Sequence, residues 1–175
     1  MNDLKRLRAA CKARLRDIEI PRPFDLDEFA RNVQAHRNRP LLILPAPDPT
    51  SDDMPYGSWW ATDHGDFIFY EPHTTELHRT QIVLHELAHM LWGDEAAGVA
   101  DSPAANTGLP DIEPAAIRTM MTRHNYSTPE ERRAELLASL ILEETGMAPA
   151  PAAEDGLAAR LSDVLGNPRR KRSLR

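Results

Sequence analysis

Along this chain, stretches where apolar residues recur every three or four positions alternate with short runs where they cluster. The first spacing predicts helices and the second predicts strands. Leu4, Leu7, Cys11, Leu15 and Ile18 share one side of a helix running from the N-terminus to about Ile18. Pro21 and Pro23 stop it. A second helix begins within Phe24–Phe29, capped by Asp25, and continues to about Arg37. After Pro40, the run Leu41–Leu44 reads as a buried strand. Residues 45–55 are rich in proline and aspartate and read as a loop. Gly57–Thr62 and Asp66–Tyr70, joined by Asp63-His64-Gly65, read as an antiparallel hairpin. A long helix follows from about Thr74 or Thr75. Residues 98–110 are small and polar. Ile112–Met121 reads as a short helix and Thr128–Glu144 as a longer one. Pro149–Ala153 reads as a linker, and Glu154–Leu165 as a weak terminal helix.

These elements predict an α+β protein whose small, mostly antiparallel sheet packs on the central helix, with helices on both sequence flanks. Residues 1–145 form one domain. It holds N-terminal helices over 1–37, a sheet over 41–71, and two site helices over 74–93 and 128–144. Residues 146–175 are a Pro/Ala linker and a basic, flexible tail.

The central helix carries His85-Glu86-Leu87-Ala88-His89 inside the proline- and glycine-free stretch Thr80–Trp92. At about 100° per residue, Val83, Leu84, Leu87, Met90 and Leu91 make one apolar face. His85 and His89 fall roughly opposite, one turn apart on one side, with Glu86 at their edge. Two histidines at that spacing can grip one metal ion, and the glutamate is then placed as general base toward a water.

A catalytic zinc site takes three protein ligands and keeps a fourth position open. An HExxHxxGxxH pattern fails here, because Trp92 and Glu95 stand at the last two fixed positions. Asp94 and Glu95 read more simply as solvated loop charges than as ligands. The helix opening at Thr128-Pro129 offers a better source, with Thr128 as N-cap and Pro129 in its first turn. Glu131, Glu135, Ala138 and Leu142 share one stripe. Leu136, Leu137, Leu140 and Ile141 occupy the other side. Glu131 can bind the metal while Glu135 hydrogen-bonds a ligating histidine; the reverse assignment stays open.

With these residues the chain resembles the ImmA/IrrE-type metallo-endopeptidases. The resembling residues are His85–His89 and the stretch Glu131-Arg-Arg-Ala134-Glu135-Leu-Leu-Ala138-Ser-Leu-Ile-Leu142, preceded by the strand Asp66–Tyr70 and the basic pair His78-Arg79. The resemblance covers roughly Trp59–Leu142. It implies that the first glutamate of the second motif, Glu131, is the third zinc ligand. Four features depart from the family pattern. Glu135 stands where Asn or Asp is usual, and Leu137 where Phe is usual. The leucine-rich end lacks a closing proline, and position 133, often acidic, is Arg. The resemblance implies a minimal zincin-like fold and a zinc-dependent endopeptidase. Its substrate would be a specific protein, often a helix-turn-helix repressor controlling a stress or mobile-element regulon. The alternative is a non-catalytic, metal-containing protein-binding module of a regulatory system.

Net charge is −6, which argues against nucleic acid as a direct partner. The basic amphipathic N-terminal helix reads as a docking helix, and Arg169-Arg170-Lys171-Arg172 as part of the tail. No run approaches transmembrane length and no signal peptide is legible, so a cytoplasmic protein without membrane contact is expected. Cys11, the single cysteine, lies on the apolar side of the first helix and reads as core. Tyr126 and His124 are candidate oxyanion stabilisers. Asp66–Tyr70 is a candidate edge for an extended substrate, with Tyr56, Trp59 and Trp60 lining the groove, although alternating strand aromatics are more commonly core. The residues do not fix the oligomeric state.

Overall fold

The computed structural model describes residues 3–46, 57–94, 117–122 and 128–147. In chain order these form α1 (Asp3–Leu15), α2 (Leu26–Arg37), β1 (Leu41–Pro45), β2 (Gly57–Thr62), β3 (Asp66–Tyr70), α3 (Glu76–Trp92), β4 (Ile117–Thr122) and α4 (Thr128–Thr145). The fold is α+β.

Local chemistry sets the helix ends. The Asp25 carboxylate accepts from the Glu28 amide at 2.7 Å and starts α2. Asn38, at φ 50°, turns the chain out of α2 in the left-handed conformation. The Thr75 hydroxyl accepts from the His78 amide at 3.2 Å and starts α3. Gly93, at φ 70°, ends it. A side chain is rarely tolerated at that φ, so glycine suits the position.

The sheet has the order β1-β3-β2-β4. β2 pairs antiparallel with β3 and with β4, and β1 pairs parallel with β3. The hairpin is therefore the centre of the sheet rather than its edge. This corrects the reading of Asp66–Tyr70 as a substrate-binding edge. That strand is paired on both sides, Leu41 to Asp66 through Pro45 to Tyr70 on one and Gly57 to Tyr70 through Ala61 to Asp66 on the other. Trp59 and Trp60 are buried core residues and do not line a groove. β1 is also not the buried strand its apolar run suggests. It lies at one edge of the sheet, where Leu42 is 52% exposed while Leu41 and Ile43 pack toward the core. Pro45 fits an edge, since it has no amide to give to a neighbour. The described part of the expected short helix over Ile112–Met121 is not helical. Residues 117–122 are β4, whose pairing partner β2 lies far away in sequence.

Asp66 fastens the far end of the hairpin. It is 1% exposed and meets Arg39 Nε at 3.0 Å, Arg37 Nη2 at 3.3 Å and the Trp59 indole N–H at 3.1 Å. Arg39 also donates to the carbonyls of Thr62 and Gly65. Those contacts tie the end of α2 to the β2–β3 turn.

α3 lies between the sheet and α4, and α1 packs on the outer side of α4. Both sides of α3 are consequently covered. Val83, Leu84 and Leu87 are fully buried, and so is His89 on the other side. From α4, Leu137 and Ile141 have no exposed surface and Leu140 has 1%. No helix among the described residues is long and apolar enough to cross a membrane.

Cys11 is 0% exposed and its thiol points to the Arg133 carbonyl at 4.0 Å. Burial raises its pKa from an ordinary 9.0 to about 11. The proton that the unfolded chain would release near pH 9 is held in the fold. The stabilisation this implies is complete below about pH 9 and is lost as pH rises toward 11. A thiol reagent at pH 8 should leave the native protein unmodified and titrate one thiol per chain after unfolding. Rapid labelling of the native state would contradict the burial.

Candidate metal centre

Three side chains from two helices converge. His85 and His89 lie one turn apart on α3, and Glu131 enters from the first turn of α4. The two Nε2 atoms are 3.1 Å apart. Glu131 gives one oxygen to each histidine, Oε1 at 3.4 Å from His89 and Oε2 at 3.5 Å from His85. The cluster could hold a metal ion, its ligand atoms all lying within 4.8 Å of one another.

Those separations can be tested against coordination geometry. Nitrogen and oxygen donors at ~2.0–2.1 Å from a tetrahedral ion are about 3.3–3.4 Å from each other. The two Nε2 atoms, 3.1 Å apart, are close to that value, and each faces a different oxygen of Glu131, Oε1 at 3.4 Å from His89 and Oε2 at 3.5 Å from His85. The donor chemistry fits as well: two imidazoles and one carboxylate, the three ligands of a catalytic zinc site, come from the described residues. The site is almost closed to water from the α3 side, since the His89 side chain is 0% exposed and that of His85 14%.

The orientation of His89 is fixed from behind. Its Nδ1 lies 2.9 Å from Asp94 Oδ2. An ionised carboxylate only accepts, so the ring proton sits on Nδ1 and the Nε2 lone pair faces Glu131 and His85. The chain end of α3 makes this possible. With Gly93 in the left-handed conformation, the Asp94 amide donates back to the His89 carbonyl at 3.1 Å. Backbone and side chain of Asp94 are thus both returned to the residue five positions earlier. Asp94 is only 3% exposed, and Arg133 of α4 forms its ion pair. The Arg133 guanidinium lies over the Trp92 ring at 5.4 Å, and Arg14 of α1 lies over the same ring at 4.9 Å. Burial, and then the charge of Arg14, lower the Arg133 pKa.

Glu86 is 4% exposed and follows His85 on α3. It lies against the first residue of β2. A Cβ on Gly57 would be 3.0 Å from Glu86 Oε1 and 2.5 Å from Ile82 Cγ2. The missing side chain at Gly57 therefore leaves the room in which the Glu86 carboxylate sits. Because Ser58 is in register with Thr122, the end of β4 runs beside this same corner.

Of the residues singled out in the sequence, His85, His89 and Glu131 are brought together. Glu135 is not part of the ligand cluster among the described residues. The carboxylate behind His89 is Asp94. Glu95, Tyr56, His124, Tyr126 and the segment 148–175 lie outside the described residues. Asp94 was read as a solvated loop charge because it follows the helix end. The signal that could have found it is Gly93: a glycine cap directs the next residue back toward the last turn, where His89 sits. Gly57 carried no signal in the sequence beyond opening a strand.

A scan of family models and searches of curated proteins and of solved structures find no match to this chain.

Two substitutions follow from the geometry. Glu131→Ala should abolish stoichiometric metal binding, measured as metal content of the purified protein, while Glu135→Ala retains it. The opposite result would exchange their roles. Gly57→Ala should lower stability by about 1–3 kcal/mol through overpacking. Denaturant unfolding would read this, with metal content unchanged. An unaffected midpoint would show that Ile82 and Glu86 can move aside.

Proposed function

We propose that the protein is a zinc-dependent endopeptidase with a zincin-like fold. The observation that carries this reading is the convergence of His85, His89 and Glu131 as a cluster able to hold a metal ion, with the buried carboxylate of Glu86 next to His85 on α3. The packing of α3 against a mostly antiparallel sheet supports the zincin-like comparison.

His85, His89 and Glu131 would hold the ion. When bound there, zinc supplies Lewis-acid polarisation of a carbonyl and lowers the pKa of water. Glu86 then acts as the general base. Its carboxylate takes a proton from the attacking water and delivers it to the departing amine. Asp94 keeps the His89 proton on Nδ1, so that imidazole stays a ligand through Nε2. Burial around Glu86 and His89 limits competing water. An extended peptide would add to the β4 edge, whose Thr122 end lies beside Ser58 and so beside Gly57 and Glu86.

The resemblance to ImmA/IrrE-type endopeptidases extends the proposal to the substrate: a specific protein, with a helix-turn-helix repressor as the first candidate. The set of three candidate ligands among the described residues supports catalysis over a structural metal, because structural zinc sites normally close all four positions with protein ligands.

The test is Glu86→Gln. It should bind metal at wild-type stoichiometry and lose cleavage of the cognate repressor by about 10²–10⁴-fold, the usual contribution of a general base. Full activity in this variant would refute the mechanism.

A further inference from the structure

We propose that Arg133 is a positioning residue of the metal centre, acting through Asp94 to hold His89 in its ligating orientation. The role rests on the metal-binding reading above.

Consider the local charges without Arg133. Asp94 has a side chain with no exposed surface. A carboxylate removed from water needs a counter-charge as well as a hydrogen bond to stay buried. The His89 N–H supplies one hydrogen bond but no formal charge. The Arg133 guanidinium supplies the charge, on Oδ1, while Oδ2 is held by His89. Both ring nitrogens of His89 are therefore controlled from α4: Nε2 faces Glu131, and Nδ1 is reached through Asp94 from Arg133. On an ideal helix, residues two apart point about 200° away from each other. Glu131 and Arg133 reach the same imidazole only because one approaches it directly and the other through the returning Gly93-Asp94 turn.

The guanidinium itself is steadied. It stacks over Trp92 at 5.4 Å, and Arg14 stacks over that ring at 4.9 Å. Trp92 follows His89 by three residues on α3, so the aromatic platform and the ligand move together. α1 is drawn into the same assembly through Arg14, through the Cys11 thiol at the Arg133 carbonyl, and through Arg8, whose Nη2 meets Glu143 at 2.6 Å. A mere fastening of α4 to α3 would predict a different behaviour. It would make Arg133 matter for stability and not for the affinity of the folded site.

The experiment compares zinc affinity, by competition with a chromophoric chelator, for wild type, Asp94→Asn, Arg133→Met and the double variant. Thermal unfolding of the same metal-free proteins is followed in parallel. Each single variant should bind zinc about 10–100-fold more weakly, the usual range for partners of a ligating histidine. If Arg133 acts through Asp94, the double variant should lose no more than about threefold beyond Asp94→Asn alone, since coupled residues do not add. Unchanged affinity in a folded Arg133→Met, or losses that simply multiply, would overturn the proposal. Should Arg133→Met not fold, Arg133→Gln keeps a donor to Asp94 without the charge, and its affinity is read in the same way. A wild-type protein that binds no zinc would instead remove the metal-binding reading itself, and the proposal with it.

Discussion

His89 has no exposed surface, and an imidazole carries two nitrogens that must both be satisfied inside the protein. Much of the surrounding structure answers that one constraint. One nitrogen is met by Asp94, which the Gly93 cap returns to the helix it has just left. The other faces His85 and Glu131, a cluster in which two imidazole nitrogens and a carboxylate point at one another. Lone pairs and negative charge converging at 3.1–3.5 Å repel unless a cation or protons lie between them. A cation bound there would therefore contribute to the stability of the fold.

The frame that holds this cluster is built from two different kinds of contact. At the far end of the hairpin, the Asp66 carboxylate joins two arginines and an indole, fixing α2 to the β2–β3 turn. At the near end the sheet meets α3 through a gap, the missing side chain of Gly57. The polar lock sets where the strands lie. The gap sets how closely Glu86 can approach them. Between the two ends, Ile68 and its register partner Trp59 are buried in the core with Val83, Leu84 and Leu87 of α3, so the spacing of sheet and helix is set by packing along the strands.

Most of the elements were legible in the sequence because their signals are local. Asp25 and Thr75 cap the helices that follow them, Asp63-His64-Gly65 turns the hairpin, and the HExxH spacing places two histidines on one side of α3. What was misread depended on partners remote in sequence. Ile117, Met120 and Met121 fit a helical period as readily as a strand, and only pairing with β2 makes that segment a strand. The hairpin looked like an edge until β1, arriving parallel from before it, covered β3. Leu41–Leu44 looked buried throughout because an apolar run does not say how many of its sides are covered.

Asp94 is the instructive case within the site. Acidic residues after a helix are normally solvated, and by composition the segment Gly93-Asp94-Glu95 is a polar loop. The glycine cap overrides composition, because a left-handed residue at the helix end reverses the chain and aims the next side chain back along the last turn. Whether that side chain is then exposed depends on α4, which covers it and brings Arg133 to it. A surface acid becomes a buried orienting group through one backbone angle and one helix placed some forty residues later in the chain. The same helix carries Glu131, so the element that brings the third side chain to the candidate metal cluster also compensates the charge behind it. The site is therefore complete only when α3 and α4 dock in one register. A slip of α4 would displace Glu131 from the ligand cluster and leave Asp94 buried without its counter-ion.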